Sequence, residues 1–169
     1  AGLILSGGPS SVLESGAPLP DMALFEMGVP VLGICYGLQA MAHLLGGHVR
    51  AGTQREFGHA RLTRTEETPL FEGLPGELDV WMSHGDQVEK LPPAFHCIAR
   101  TVTCPIAAMA NEKRLLYGLQ FHPEVAHTPL GREILSRFVF STCGSRADWN
   151  MGRFIEESVA GLRERIGKG

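Results

Sequence analysis

Apolar residues along this chain fall into short runs set off by glycine, proline and polar clusters, with helical stripes between some of them. Leu3-Ile4-Leu5 is the first run and gives way to Ser6-Gly7-Gly8-Pro9, which predicts a strand feeding a glycine loop. Val29-Pro30-Val31-Leu32 with Ile34 predicts a second strand. Leu38, Met41, Ala42 and Leu45 then recur at i, i+3, i+4 and i+7, the spacing of one apolar helix face. Gly46-Gly47 supplies a stop for that helix. Further strand-like runs follow at His48-Val49-Arg50, His59 to Leu62, Leu78 to Met82, Phe95 to Val102, Ile106 to Ala110 and Leu115 to Phe121. A loop is expected from Thr65 to Pro75, solvated over Thr65 to Pro69, and a turn at Asn111-Glu112-Lys113. Gly131 to Phe140 reads as a helix, and Ile155, Val159, Leu162 and Ile166 mark the apolar side of a last one. Strands feeding helices beside a series of strand pairs predict an α/β fold: an open sheet, parallel in its centre and flanked by helices, with an antiparallel extension. No internal repeat or low-complexity tract is present.

The pentapeptide Gly33-Ile34-Cys35-Tyr36-Gly37 lies at the junction of the second strand and the first helix. G-x-C-x-G there is the sulfur form of a nucleophile elbow, in which glycines on either side remove the side chains that would block so sharp a turn. It would set Cys35 at the positive end of a helix dipole, beside unpaired backbone N–H groups, where a thiolate is favoured. The alternative is a buried structural cysteine beneath a helix, and the flanking glycines argue for the nucleophile. The backbone N–H of Tyr36 would be free to meet an oxyanion.

A thiol nucleophile needs a base, and Phe121-His122-Pro123-Glu124-Val125 offers one. In an extended segment His122 and Glu124 project to the same side, and Pro123 keeps His122 out of helical geometry. The carboxylate can then fix the imidazole tautomer and stabilise the imidazolium, completing a nucleophile–base–orienter triad. The glycine loop lacks Gly-Lys-Ser/Thr, so it is not a Walker A phosphate loop, and Ser10 stands where a pyrophosphate loop of the S-G-G-x-D-S kind has aspartate. Besides a plain turn, that leaves a second oxyanion donor from Gly7 or Gly8.

Gly33 to Gln39, followed in order by Phe121 to Val125, resembles the class I glutamine amidotransferases, whose triad is Cys-His-Glu. Leu5-Ser6-Gly7-Gly8-Pro9, Arg55-Glu56-Phe57-Gly58 and Trp81-Met82-Ser83-His84-Gly85-Asp86 narrow the resemblance to the glutaminase half of the GMP synthetases. The resemblance implies a flavodoxin-like fold in which Cys35 attacks the side-chain amide of glutamine. His122 acts as base and then acid, and Glu124 orients it. Gly8 and Tyr36 would form the oxyanion hole. Gln39 would fix the bound glutamine, and the turn Ser83-His84-Gly85-Asp86 would contact its amino-acid end. The plainer alternatives are a solvent-facing helix residue for Gln39 and a surface turn histidine for His84.

The same resemblance implies that residues 1–143 are a glutaminase domain lacking its first strands and helices, since the chain opens at Ala1-Gly2-Leu3 without an initiating methionine. Asp148-Trp149-Asn150-Met151 and the helix beyond resemble a linker, so residues 144–169 are expected to lead into an absent ATP-pyrophosphatase (synthetase) domain of the same polypeptide. ATP, magnesium and xanthosine monophosphate (XMP) are implied for that homodimeric parent and not for this piece. The last helix either packs back on the domain or contacts the synthetase.

Composition narrows the remaining possibilities. A chain of 169 residues, 44% hydrophobic, has enough apolar material for one folded domain. Its net charge of −3 leaves no basic footprint for nucleic acid, and no membrane span or secretory signal is expected. Cys35, Cys97, Cys104 and Cys143 form no C-x-x-C pair, and the seven histidines show no H-E-x-x-H spacing. Reduced thiols, a cytoplasmic location and no metal site are therefore the expectation, with Cys97, Cys104 and Cys143 structural. Two rival functions remain: another class I amidotransferase or a γ-glutamyl hydrolase, and an inactive interaction module built on the same scaffold. The Trp-Met-Ser-His-Gly-Asp stretch argues against the first, and retention of all three triad residue types against the second.

Overall fold

The computed structural model describes residues 1–148 and 150–167, with the side chains of 53–55 outside the description. The sequence motifs that include Arg55, Trp149, Lys168 and Gly169 therefore lie partly outside the described residues. The apolar runs become strands β1 (Leu3–Leu5), β2 (Val31–Ile34), β3 (His48–Arg64), β4 (Glu77–Lys90), β5 (His96–Arg100), β6 (Ala108–Asn111) and β7 (Leu116–Leu119). Helix α1 (Tyr36–Leu44) follows β2, α2 (Gly131–Ser136) runs on into a wider π-helical turn over Arg137–Thr142, and α3 (Met151–Ile166) closes the description. One mixed sheet holds all seven strands in the order β1-β2-β7-β6-β5-β3-β4.

The first three strands in that order are parallel and the rest pair antiparallel. Burial follows the pairing. Every residue of β2, β6 and β7 is buried, as expected where both faces of a sheet are covered, whereas β4 alternates buried and exposed positions along its first half. Two apolar clusters form the core. One contains Leu32, Leu62, Met82, Ile98, Tyr117 and Phe138; the other gathers Val31, Leu38, Met41, Val49, Val88 and Met109 around the buried face of α1. Gly46, with φ +88°, ends α1 as expected.

Two expectations need correction. The runs at 48–50 and 59–62 belong to a single 17-residue strand, β3, whose register with β4 shifts between Ala51 and Glu56. An irregularity of this kind breaks the alternation that a strand shows in sequence. Ser83-His84-Gly85-Asp86 is no turn: it continues β4, with His84 opposite Glu56 and Asp86 opposite Ala51. Gly85 stays within the strand at the point where its register with β3 shifts. The loop expected from Thr65 to Pro75 is present and holds one short 3-10 turn: Thr68 caps it by accepting from Leu70 N at 3.3 Å, and Leu70 and Phe71 are fully buried.

Candidate active site

Strand β2 ends and α1 begins with one residue between them, and that residue is Cys35. Its backbone lies at φ 50°, ψ −103°, in the half of conformational space that L-residues avoid. The flanking glycines show why the chain accepts this turn. A Cβ on Gly33 would sit 2.6 Å from the carbonyl of Gly37, and one on Gly37 would collide with the carbonyl oxygen of Leu5. The bend is held by Cys35 N donating to Leu119 O at 2.7 Å and by Gln39 N donating to Cys35 O at 3.1 Å. Tyr36, Gly37 and Leu38 precede that first helical hydrogen bond, so their N–H groups belong to the open end of the helix. The Tyr36 ring turns away, its hydroxyl donating to Pro18 O at 3.3 Å beside a separate cleft of ≈ 330 Å³, so only its main chain is available to an anion near the sulfur.

The structure brings Cys35, His122 and Glu124 together. Glu124 Oε1 lies 2.6 Å from His122 Nδ1, as the i, i+2 projection requires. Pro123 separates the two residues, and the backbone of His122 is pinned on both sides. Its N–H donates to Trp81 O at 3.0 Å, and its carbonyl accepts from Thr128 Oγ1 at 2.7 Å. His122 Nε2 is buried and meets no partner with full hydrogen-bond geometry. The strongest influence on the imidazole is nonetheless the Cys35 sulfur. It outweighs the opposing effect of burial and, with Glu124, raises the His122 pKa to about 9. The imidazole is thus held protonated at neutral pH.

The sulfur stands at the edge of a cleft of ≈ 440 Å³ bounded by the glycine loop on one side and β4 on the other. Gly8, Gln39, Ser83, His84 and Gly85, each expected at the site, all line it. Cys35 Sγ itself approaches Ser83 O at 3.5 Å. Neither plainer alternative holds: Gln39 is 3% and His84 6% exposed. His84 is clamped from both ends, Nδ1 against Asp86 O at 3.0 Å and Nε2 against Glu56 Oε2 at 3.1 Å, and Glu56 in turn accepts from Thr103 Oγ1 at 2.5 Å. Ser11 Oγ donates to the Asp86 carboxylate and ties the glycine loop to β4 across the cleft.

Several residues at the site were given no role from the sequence. Glu14 and Phe57 line the cleft, the latter as an exposed aromatic on its rim. Glu56 stood in a recognised motif, but its grip on His84 depends on the β3–β4 register. Gln120 is fully buried against the sulfur, with Nε2 3.8 Å from Cys35 Sγ. Its place immediately before Phe121-His122 was the available clue. The other cysteines are free and play no part in this geometry; Cys104 is buried, and desolvation lifts its thiol to about 12.

The sequence profile of the family described as "Glutamine amidotransferase class-I" matches residues 1–142. The chain is 57% identical to a GMP synthase [glutamine-hydrolyzing] of Paraburkholderia phytofirmans and 54% identical to one of Neisseria meningitidis, with 98% of the chain covered in each case. It spans about a third of the length of those curated relatives, 33% and 32%. Among solved structures, it matches a Thermoplasma acidophilum protein described as part of a GMP synthase, with TM-score 0.72 and 32% identity. That match covers 92% of this chain and 76% of the other. A glutamine amidotransferase of Methylobacillus flagellatus matches with TM-score 0.63 and 30% identity, covering 73% and 52%. With a strand-to-helix cysteine, a partly buried imidazole and a carboxylate arranged as above, the chain belongs to the class I glutamine amidotransferase family.

Proposed function

We propose that this chain hydrolyses glutamine to glutamate and ammonia, and that it is the glutaminase portion of a GMP synthase, in which the ammonia aminates XMP. The observation that carries the reading is a positive-φ cysteine at the edge of a cleft, acted on by an imidazole, His122, that is itself held 2.6 Å from the Glu124 carboxylate. His122 holds the proton that the sulfur gives up. The sulfur adds to the carboxamide carbon, and the oxyanion that forms is met by the main-chain N–H groups of Tyr36 and Gly8. The tetrahedral adduct collapses as its C–N bond breaks, and His122 delivers its proton to the departing nitrogen, which leaves as ammonia. Water then adds to the glutamyl thioester with His122 as base. The C–S bond breaks, glutamate departs and the proton is again shared between sulfur and imidazole.

Gln39 commits its two amide protons to Asp86 O and Gln120 Oε1, so toward a ligand it offers only an acceptor oxygen. Together with the carbonyl-rich edge of β4 at Ser83 to Asp86, this suits the ammonium and amide N–H groups of glutamine. ATP and magnesium belong, on this reading, to the synthetase part of the longer protein. Residues 144–169 are the linker toward that part, in a cytoplasmic, homodimeric parent. No described helix is long and apolar enough to cross a membrane.

Glutamate release from glutamine, measured beside Cys35→Ala with and without a synthetase domain charged with ATP and XMP, tests the reading. Turnover that disappears in Cys35→Ala and rises with the charged partner is expected. Folded protein that releases no glutamate above the Cys35→Ala background under either condition would overturn it in favour of an interaction module.

A further inference from the structure

Beside the nucleophile lies a chain of two side-chain amides, running from Gln39 on the cleft wall to the fully buried Gln120. Asp86 O can only accept, so the Gln39 atom 2.8 Å from it is the nitrogen. That same nitrogen faces Gln120 at 3.4 Å, which makes the Gln120 atom there its oxygen and turns the Gln120 NH2 toward Cys35 Sγ, 3.8 Å away. The amide orientation is therefore fixed from the backbone outward and does not depend on a free choice between two flips. Gln120 is 0% exposed, and its own N–H is tied to Ala107 O at 2.8 Å, so neither water nor backbone motion competes for the amide.

We propose that Gln120 is a catalytic residue of this site: its side-chain NH2 donates to the Cys35 sulfur and favours the thiolate over the thiol. Resting on the assignment of Cys35 as nucleophile, the proposal identifies a donor additional to His122 and to the oxyanion hole. A sulfur anion accepts such a bond more strongly than a neutral thiol does, and a dry surrounding strengthens the difference. The amide also reports on the cleft, because its oxygen is held by Gln39, whose other proton rests on β4. A ligand that shifts Gln39 would reorient the donor on the nucleophile.

The test is alkylation of Cys35 by iodoacetamide in the full chain at neutral pH, with thiolate absorbance in parallel, for wild type, Gln120→Leu and Gln120→Glu. Loss of a buried charge-assisted hydrogen bond at this long distance predicts an alkylation rate about tenfold lower in Gln120→Leu. It predicts a larger loss in Gln120→Glu, where an oxygen replaces the donor. The curve of alkylation against pH should move to higher pH in both, which a purely structural role would not cause. Should either variant fold poorly, the wild-type protein still decides: the Gln120 side-chain amide resonances should differ between it and Cys35→Ala. Folded Gln120→Leu that alkylates at the wild-type rate, or amide resonances indifferent to the sulfur, would overturn the proposal. A chain that alkylates in a Gln120-dependent way yet releases no glutamate would leave it standing and remove the glutaminase reading instead.

Discussion

At the scale of single residues, the site is set by what Gly7 leaves empty. A Cβ there would lie 3.0 Å from His122 Cε1 and 3.6 Å from Cys35 Cβ, whereas one on Gly8 would make ordinary contact with the Tyr36 ring at 3.8 Å. Gly7→Ala should therefore displace the imidazole and lower kcat for glutaminase turnover by on the order of ten- to a hundredfold. Gly8→Ala should change it far less, and steady-state kinetics of the two variants side by side checks the contrast. The proton on His122 gives a second prediction. A histidine held above its ordinary 6.5 adds stability that is complete below that pH and fades as the pH climbs through about 9. Urea midpoints should fall across that window, and Cys35→Ala, which removes the largest cause, should flatten the fall. Cys35, His122 and Glu124 were legible in sequence because their chemistry is local: an elbow needs adjacent glycines, and His-Pro-Glu sets its own projection. Glu56 and Gln120 were not, because each acts on a residue distant in sequence, 28 positions away for Glu56 and His84 and 85 for Gln120 and Cys35.

At the scale of elements, α1 depends on a close approach to β1 that Gly37 alone permits, since any Cβ there would meet the Leu5 carbonyl. Gly37→Ala should push the helix outward and cost about 1–3 kcal/mol of unfolding free energy, measurable by denaturant titration. It should also lower activity more than stability accounts for, because Cys35 opens the same helix. The strand–elbow–helix unit was readable from apolar periodicity and turn glycines, both short-range signals. The β3–β4 hairpin was read in pieces, since its irregular register between Ala51 and Glu56 breaks the alternation on one strand, and Gly85 made its partner look like a turn. What keeps Ser83 to Asp86 extended is the pairing itself, an interaction between strands that no single stretch of sequence displays.

At the scale of the whole molecule, α3 stands apart. It buries none of its described residues, and Ile155, Val159, Leu162 and Ile166 remain 39–76% exposed. Its amphipathic pattern was plain in sequence, but a pattern states that a face needs cover and not where the cover lies; of the two expectations for this helix, packing back on the domain is not met. Val159→Glu with Leu162→Glu should leave the thermal midpoint within about 2 °C of the parent chain, since exposed positions contribute about 0.5 kcal/mol or less. Differential scanning calorimetry gives the comparison. The order of the sheet has a larger effect. Strand β4 is the last in the sheet, farthest from β1, yet its carbonyls reach Cys35 Sγ, Gln39 and the backbone of His122. The sheet therefore curls until its last strand overhangs the ends of the parallel ones. Cys35 follows β2 and His122 follows β7, both parallel strands, and Trp81 O of the overhanging strand ties His122 across to β4. A load on the outer hairpin would therefore be felt at Cys35 through the Ser83 carbonyl and at His122 through that of Trp81, at both residues together.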